Sequence, residues 1–209
     1  TDMAFDSGKV KITDSFDAST SINIGGFTIH DFHAKHRVLT VPEIFIYSSN
    51  IGTAREADLV GIEAHKEFLT KIGLLTRMQT ELPEVARPTE PKVWKQVNSI
   101  TIAFGHGVST TPLQTAVGCA ALMNGGWLIE PTFLPRNQDE AMASAKRVVK
   151  DSTVEGMRYL YRLNAEKGSG KRAQVPGYRV GGKTGTAEKV VNGRYSGDKR
   201  FNAFVASFP

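Results

Sequence analysis

The sequence predicts an α+β domain, with helices arranged around an antiparallel sheet in the middle. Three observations predict it. Helix starts recur along the chain, each marked by a hydroxyl residue with Glu or Gln three positions later. Short apolar runs with strand character gather near the C-terminal end, around the turn pair Asn192-Gly193. No internal repeat or low-complexity stretch breaks the pattern, so one layered domain accounts for the whole chain, 1–209.

The elements follow in order. Thr40-Val41-Pro42-Glu43 reads as a capping box, with Pro in the first turn and Glu reaching back to the cap. Ile62 to Ile72 reads as a second helix, closed by Gly73. Three prolines between Leu82 and Pro91 make that stretch a loop. Thr111-Pro112-Leu113-Gln114 repeats the capping box. It opens a helix made apolar on most sides by Ala116, Ala120, Ala121 and Leu122, hence expected to be buried. Asn124-Gly125-Gly126 ends it with a left-handed stop. Ser152-Thr153-Val154-Glu155 reads as a third box, before a helix with Val154, Met157, Leu160 and Tyr161 on one face. Gly168-Ser169-Gly170-Lys171 is expected to be an exposed loop. Tyr178 to Val180 then leads into Gly181-Gly182-Lys183-Thr184-Gly185-Thr186, and Phe204-Val205-Ala206 with Phe208 forms the returning strand of a hairpin.

Composition excludes little but orders the alternatives. The net charge is +5, yet the basic residues are scattered, with only short clusters at Lys146-Arg147 and Lys171-Arg172. No basic stripe interleaved with aromatics is present, so a solvated surface is expected rather than a nucleic-acid partner. Cys119 is the only cysteine, which removes internal disulfides and cysteine metal clusters; its apolar neighbours suggest a buried thiol. No apolar run reaches the length of a membrane span, and the N-terminus lacks a signal-peptide pattern. The chain opens on Thr1 and closes on Phe208-Pro209 as a strand begins, so it is expected to be the central part of a longer domain.

Two motifs carry chemistry. Ser48-Ser49-Asn50 lies near the end of the helix that starts at Thr40, and Lys183-Thr184-Gly185-Thr186 lies on the first strand of the hairpin. Acyl transfer needs a proton shuttle, an oxyanion hole and an anchor for a substrate carboxylate. Ser48 can relay a proton to a leaving group. Asn50 can donate its amide to a substrate carbonyl and accept from a lysine. Lys183 supplies positive charge. Gly185 lets a substrate backbone approach the strand edge. The Thr186 N–H can donate to an oxyanion, and the hydroxyls of Thr184 and Thr186 can hold a carboxylate. In this order the two motifs fit the later part of the S-x-x-K, S-x-N, K-T-G series of serine acyl-transferring enzymes. The alternative is structural: a helix end and a glycine-bulged strand.

With those motifs, the chain closely resembles a class B penicillin-binding protein of the division-specific (septal) type. The resemblance runs through Phe5-Asp6-Ser7-Gly8-Lys9-Val10, Ile29-His30-Asp31, Leu39-Thr40, Tyr47-Ser48-Ser49-Asn50-Ile51-Gly52, the segment from Phe104 to Ala116, and Tyr178 to Lys189. The elongation-specific relatives usually open the Gly105 segment as Gly-Gln-Gly, whereas this chain has Gly105-His106-Gly107. The resemblance implies a β-lactamase/transpeptidase-like α-β-α sandwich. It implies a peptidoglycan D,D-transpeptidase that cross-links stem peptides ending in D-Ala-D-Ala at the septum and is acylated by β-lactams. It needs no cofactor or metal. Other division proteins are the implied partners, with an inner-membrane anchor and a periplasmic domain in the full-length protein.

One departure matters. The family carries S-x-x-K before the S-x-N motif. Here only Ser196-Gly197-Asp198-Lys199 has that spacing, and it follows the K-T-G motif. The nucleophilic serine and further strands are therefore expected outside these 209 residues. Two other readings stand beside the transpeptidase: a serine β-lactamase or β-lactam sensor of the same fold, and a non-catalytic piece acting as a division scaffold. His30, Asp31, His33 and His36 cluster within seven positions and raise a metal site; surface residues are the expected alternative. His106 could line the groove or fill space.

Overall fold

The longest helix, Asp151–Lys167, buries Val154, Met157, Leu160 and Tyr161, the stripe picked out by their helical spacing. The computed structural model describes residues 1–191 and 194–208. In chain order its helices are α1 (Asp2–Asp6), α2 (Val41–Tyr47), α3 (Asn50–Val60), α4 (Ile62–Lys71), α5 (Gln96–Ala103), α6 (Pro112–Met123), α7 (Gln138–Ala143) and the long α8 (Asp151–Lys167). The strands are β1 (Ser15–Asp17), β2 (Ile22–Ile24), β3 (Phe27–Ile29), β4 (Val38–Thr40), β5 (Trp127–Leu128), β6 (Lys146–Arg147), β7 (Gly181–Val191) and β8 (Arg194–Ser207).

The strands pair antiparallel as β1–β4, β2–β3, β5–β6 and β7–β8, so helices and antiparallel sheet are mixed as an α+β fold requires. The β7–β8 hairpin runs in regular register from Gly181↔Ser207 to Thr186↔Asn202. The expected turn at Asn192-Gly193 lies outside the described residues. Helix α8 packs against α1, α2, α6 and β7, and the main core gathers Met3, Val41, Val60, Phe68 and Leu122 around it. Among the described residues no helix is long and apolar enough to cross a membrane.

Several sequence expectations are corrected. Thr111 does cap α6, accepting from the Gln114 N–H at 3.1 Å, but Gln114 does not reach back. Its buried amide instead donates to the carbonyls of Gly73 and Thr76, both at 2.7 Å, tying α6 to the end of α4. Helix α8 starts at Asp151, one residue before the expected cap, and Ser152 caps nothing. The buried carboxylate of Asp6 reaches this helix start from elsewhere in the chain, accepting from the Lys150 N–H at 2.9 Å and the Thr153 hydroxyl at 3.3 Å. It thus engages the N–H of the N-cap residue, one of the donors that a helix start leaves without a partner inside the helix. Helix α6 is only half buried: Gly118, Ala121 and Leu122 face the core while Leu113, Ala116 and Ala120 face outward. Cys119 is accordingly half-buried, and its sulfur accepts from the Tyr161 hydroxyl at 3.7 Å.

Candidate active site

Ser48 and Lys183 meet because a chain reversal and a strand edge aim them at each other. The first lies between α2 and α3. Thr40 and Glu43 form a complete capping box at the start of α2, and Arg37 grips the Glu43 carboxylate at 2.6 and 3.1 Å. The Arg37 guanidinium, with the Thr40 N–H, holds the Glu43 carboxyl at about 2, well below the usual range. At the other end of α2, Ser48 adopts the left-handed conformation, φ 56° and ψ 46°. That conformation costs a non-glycine residue about 1–2 kcal/mol. It turns the chain so that Ser48 projects into solvent while Ser49 is buried.

Ser49 then caps α3. Its Oγ accepts from the Gly52 N–H at 2.9 Å and donates to Asp31 Oδ2 at 2.7 Å, while Asp31 Oδ1 accepts from the Ile51 N–H at 2.9 Å. One carboxylate thus clamps the turn that carries Ser48. Asn50 Nδ2 donates to the His30 carbonyl at 3.1 Å, so part of its amide is already engaged.

The second element is the strand β7. A Cβ on Gly181 would meet the backbone of α8 at 3.2 Å, and one on Gly182 would meet the Val205 carbonyl oxygen at 2.6 Å. The glycine pair lets the strand lie against α8 and β8 at once. The carbonyls of Val180, Gly182 and Thr184 accept from Arg162, Asn164 and Lys183 respectively. In an antiparallel strand the outward-facing backbone groups recur at every second residue. The N–H and C=O of Thr186 therefore share this edge, turned away from β8.

Lys183 Nζ donates to Ser48 Oγ at 2.5 Å and to the Thr184 carbonyl at 3.1 Å, with the Phe45 ring centroid 5.9 Å away. Burial of the ammonium lowers its pKa to about 8. Beside it, Gly185 opens on free space, Thr186 is exposed, and Thr184 Oγ1 shares a 2.6 Å hydrogen bond with Ser169 Oγ. The expected site residues therefore sort as follows. Ser48 and Lys183 are in direct contact. Gly185 and Thr186 continue the same strand edge. Asn50 and Thr184 bond to neighbours outside the motifs.

Sequence reasoning missed the supports. Asp31 reads from the sequence as part of a resembling stretch and of a His-rich cluster, with no sign that it holds α3. Phe45 lies one turn before Ser48 and lines the Lys183 amine. Gly168-Ser169-Gly170-Lys171 is no free loop: Gly170 is buried, a short 3₁₀ turn spans Lys171–Ala173, and Ser169 reaches Thr184. Among the described residues no group of three or more His, Cys, Asp and Glu side chains could hold a metal ion. His33 stacks edge-on against Phe32, and His36 Nδ1 lies 3.3 Å from the Ser19 carbonyl. The His106 ring packs edge-on against Phe104 between Gly105 and Gly107, both at positive φ. Ser196 to Lys199 falls within β8, not at a helix start.

Fold and motif geometry together define a domain of the β-lactamase/transpeptidase-like class. The family model described as the penicillin binding protein transpeptidase domain matches residues 1–209, and the chain belongs to that family. It is 38% identical over 212 residues to the probable peptidoglycan D,D-transpeptidase FtsI of Caulobacter vibrioides, covering 99% of this chain and 36% of that protein. It is 34% identical over 210 residues to the probable peptidoglycan D,D-transpeptidase PenA of Neisseria flavescens, covering 99% of this chain and 51% of that protein. The chain thus spans about a third to a half of the length of these relatives. Among solved structures, the apo transpeptidase domain of penicillin-binding protein 3 from Burkholderia pseudomallei superposes with a TM-score of 0.89 at 28% identity, over 98% of this chain and 62% of that one. Penicillin-binding protein 3 of Mycobacterium tuberculosis in complex with aztreonam gives 0.85 at 28% identity, over 98% of this chain and 50% of that one.

Proposed function

We propose that this chain is part of a peptidoglycan D,D-transpeptidase that cross-links stem peptides during septal wall synthesis and is acylated by β-lactams. The observation that carries the reading is the 2.5 Å hydrogen bond from Lys183 to Ser48, formed between two motifs 135 residues apart. Ser48 accepts from the ammonium, so its own proton is free to pass outward to the nitrogen of a leaving group. Lys183 then replenishes Ser48, which makes the pair a proton relay. The outward edge of β7 offers the Thr186 N–H to a developing oxyanion. The hydroxyls of Thr184 and Thr186, on the same strand as Lys183, can hold a substrate carboxylate beside the Lys183 charge. Asn50 keeps an amide hydrogen beyond its bond to His30 and can give it to a substrate carbonyl.

The nucleophile of this reading is a serine of an S-x-x-K segment supplied by the full-length protein. The longer relatives leave room for such a segment, and for an inner-membrane anchor with the catalytic domain in the periplasm. The names of the FtsI and PenA relatives, and the match of the transpeptidase family model to every residue, favour a transpeptidase over a β-lactamase or β-lactam sensor of the same fold. Gly105-His106-Gly107 favours the septal role, with other division proteins as partners. The test is acylation of the full-length protein by a fluorescent penicillin, followed by transfer of a D-Ala-D-Ala donor peptide to an acceptor amine. Stoichiometric labelling with turnover of the donor supports the proposal. A protein that takes no label overturns it.

A further inference from the structure

We infer that Ser169 is a positioning residue: its hydroxyl orients the Thr184 hydroxyl toward the groove, so that Thr184 donates to a substrate carboxylate. This rests on the transpeptidase reading of the Lys183–Thr186 edge and adds to it a residue outside every motif. The device is built on Asn164, which is fully buried in α8. Its Nδ2 donates to the Gly182 carbonyl at 2.7 Å, and its Oδ1 accepts from the Ser169 N–H at 3.2 Å. One partner can only accept and the other can only donate, which fixes the amide's orientation. The Gly168 and Gly170 N–H groups both donate to the Asn164 carbonyl, at 2.9 and 3.2 Å. A Cβ at Gly168 would lie 2.1 Å from Asn164 Oδ1, so the Gly-Ser-Gly segment wraps this side chain closely.

The wrap delivers Ser169 Oγ to 2.6 Å from Thr184 Oγ1. Two hydroxyls share that bond, and only one of them donates in it. If Thr184 donates inward, Ser169 turns its own proton to Asn164 Oδ1, at a poor 3.4 Å, or to solvent, and Thr184 shows only lone pairs to the groove. If Ser169 donates to Thr184, the Thr184 proton is released outward. An anion beside Lys183 selects the second arrangement, and Ser169 holds it. Ser169 therefore acts on recognition of the carboxylate and not on bond breaking.

The test uses the full-length protein and two acylating agents, benzylpenicillin and its methyl ester, which lacks the carboxylate. In Ser169→Ala the second-order acylation constant for the acid should fall roughly three- to tenfold, the worth of one hydrogen bond. The ester should be nearly unaffected. Ser169→Thr, which keeps the hydroxyl, should restore the acid. In a Thr184→Val background, Ser169→Ala should have no further effect. Equal losses for acid and ester, or a full effect without the Thr184 hydroxyl, would overturn the inference while leaving the transpeptidase reading intact. A wild type that neither agent acylates would overturn both.

Discussion

Lys183 Nζ lies 2.5 Å from Ser48 Oγ, where the end of α2 meets the outer edge of β7. Because the ammonium is the donor, each residue depends on the other to move a proton. Removing either hydroxyl or amine from a general acid–base step costs about 10²–10⁴-fold. In the full-length protein, Ser48→Ala and Lys183→Ala should each slow acylation by about a hundredfold or more. The double variant should be little worse than the poorer single one, since the two act as a unit. Stopped-flow acylation with a fluorescent penicillin measures all three. Additive losses would mean that the pair is not a relay.

The pH profile should carry the signature of a buried lysine. Burial holds Lys183 at about 8, down from 10.5. Below that value the ammonium is present to donate to Ser48 and to attract a carboxylate; above it the amine is neutral. The second-order acylation constant should therefore fall as pH rises through about 8. Lys183→Arg, whose charge persists, should lose that descending limb even if it is slower overall. A limb retained in the arginine variant would assign the titration to another group.

The Asp31 clamp should matter for stability as well as for the site. Its carboxylate accepts from both the Ser49 hydroxyl and the Ile51 N–H at the start of α3. Asp31→Ala strips two acceptors from a part-buried helix start, at about 1–2 kcal/mol. The denaturation midpoint should drop with the slope unchanged, and acylation should slow because the Ser48 turn loosens. A variant as stable and as fast as wild type would show that the clamp is dispensable.

How far the sequence reveals this arrangement differs element by element. The Thr40 box, the Gly73 and Asn124-Gly125-Gly126 stops and the α8 stripe are local signals, and each is found where the sequence places it. Ser48 and Lys183 were legible because their residue types and order are chemically restrictive. The misses are non-local. Asp6 reaches the Lys150 N–H at the start of α8 from 144 residues away, and Gln114 crosses to the end of α4 because both of its buried hydrogens need acceptors. Asp31 reads as a metal candidate among histidines, since nothing in the sequence says that its two oxygens face an N-terminus 20 residues on. Helix α3 was hidden by the same residues that begin it, because Ser48-Ser49-Asn50 reads equally well as the end of α2.

A second titration should appear in stability. His65 is buried, with Nδ1 2.9 Å from Ser99 Oγ and the Trp94 ring edge-on at 5.7 Å. Burial lowers its pKa from 6.5 to about 4. The folded state thus keeps the ring neutral where the unfolded chain already binds a proton. Stability that is present above pH 6.5 should be lost as pH falls toward 4, by up to about 3 kcal/mol. Denaturation midpoints measured across that window should show the loss. The His65→Phe variant, which has no proton to bind, should show a flatter dependence. Parallel curves would mean that His65 does not titrate in this range.

A polypeptide of these 209 residues alone should form no covalent adduct with penicillin. Acylation needs a hydroxyl activated by a neighbouring base, and the only S-x-x-K spacing in the chain, Ser196 to Lys199, falls within a strand. Ser48 is in contact with a lysine, but that lysine donates to it, and Ser48 sits at a left-handed helix end, not at a helix start. Its oxygen is thus arranged to receive and pass on a proton and not to attack. Intact-mass spectrometry after incubation with a labelled penicillin reads the outcome directly. The chain should keep its mass, while the full-length protein gains one penicillin per molecule. A stoichiometric adduct on the 209-residue chain, mapped by digestion to Ser48, Ser49 or Ser196, would make that serine the nucleophile and remove the relay role given to Ser48.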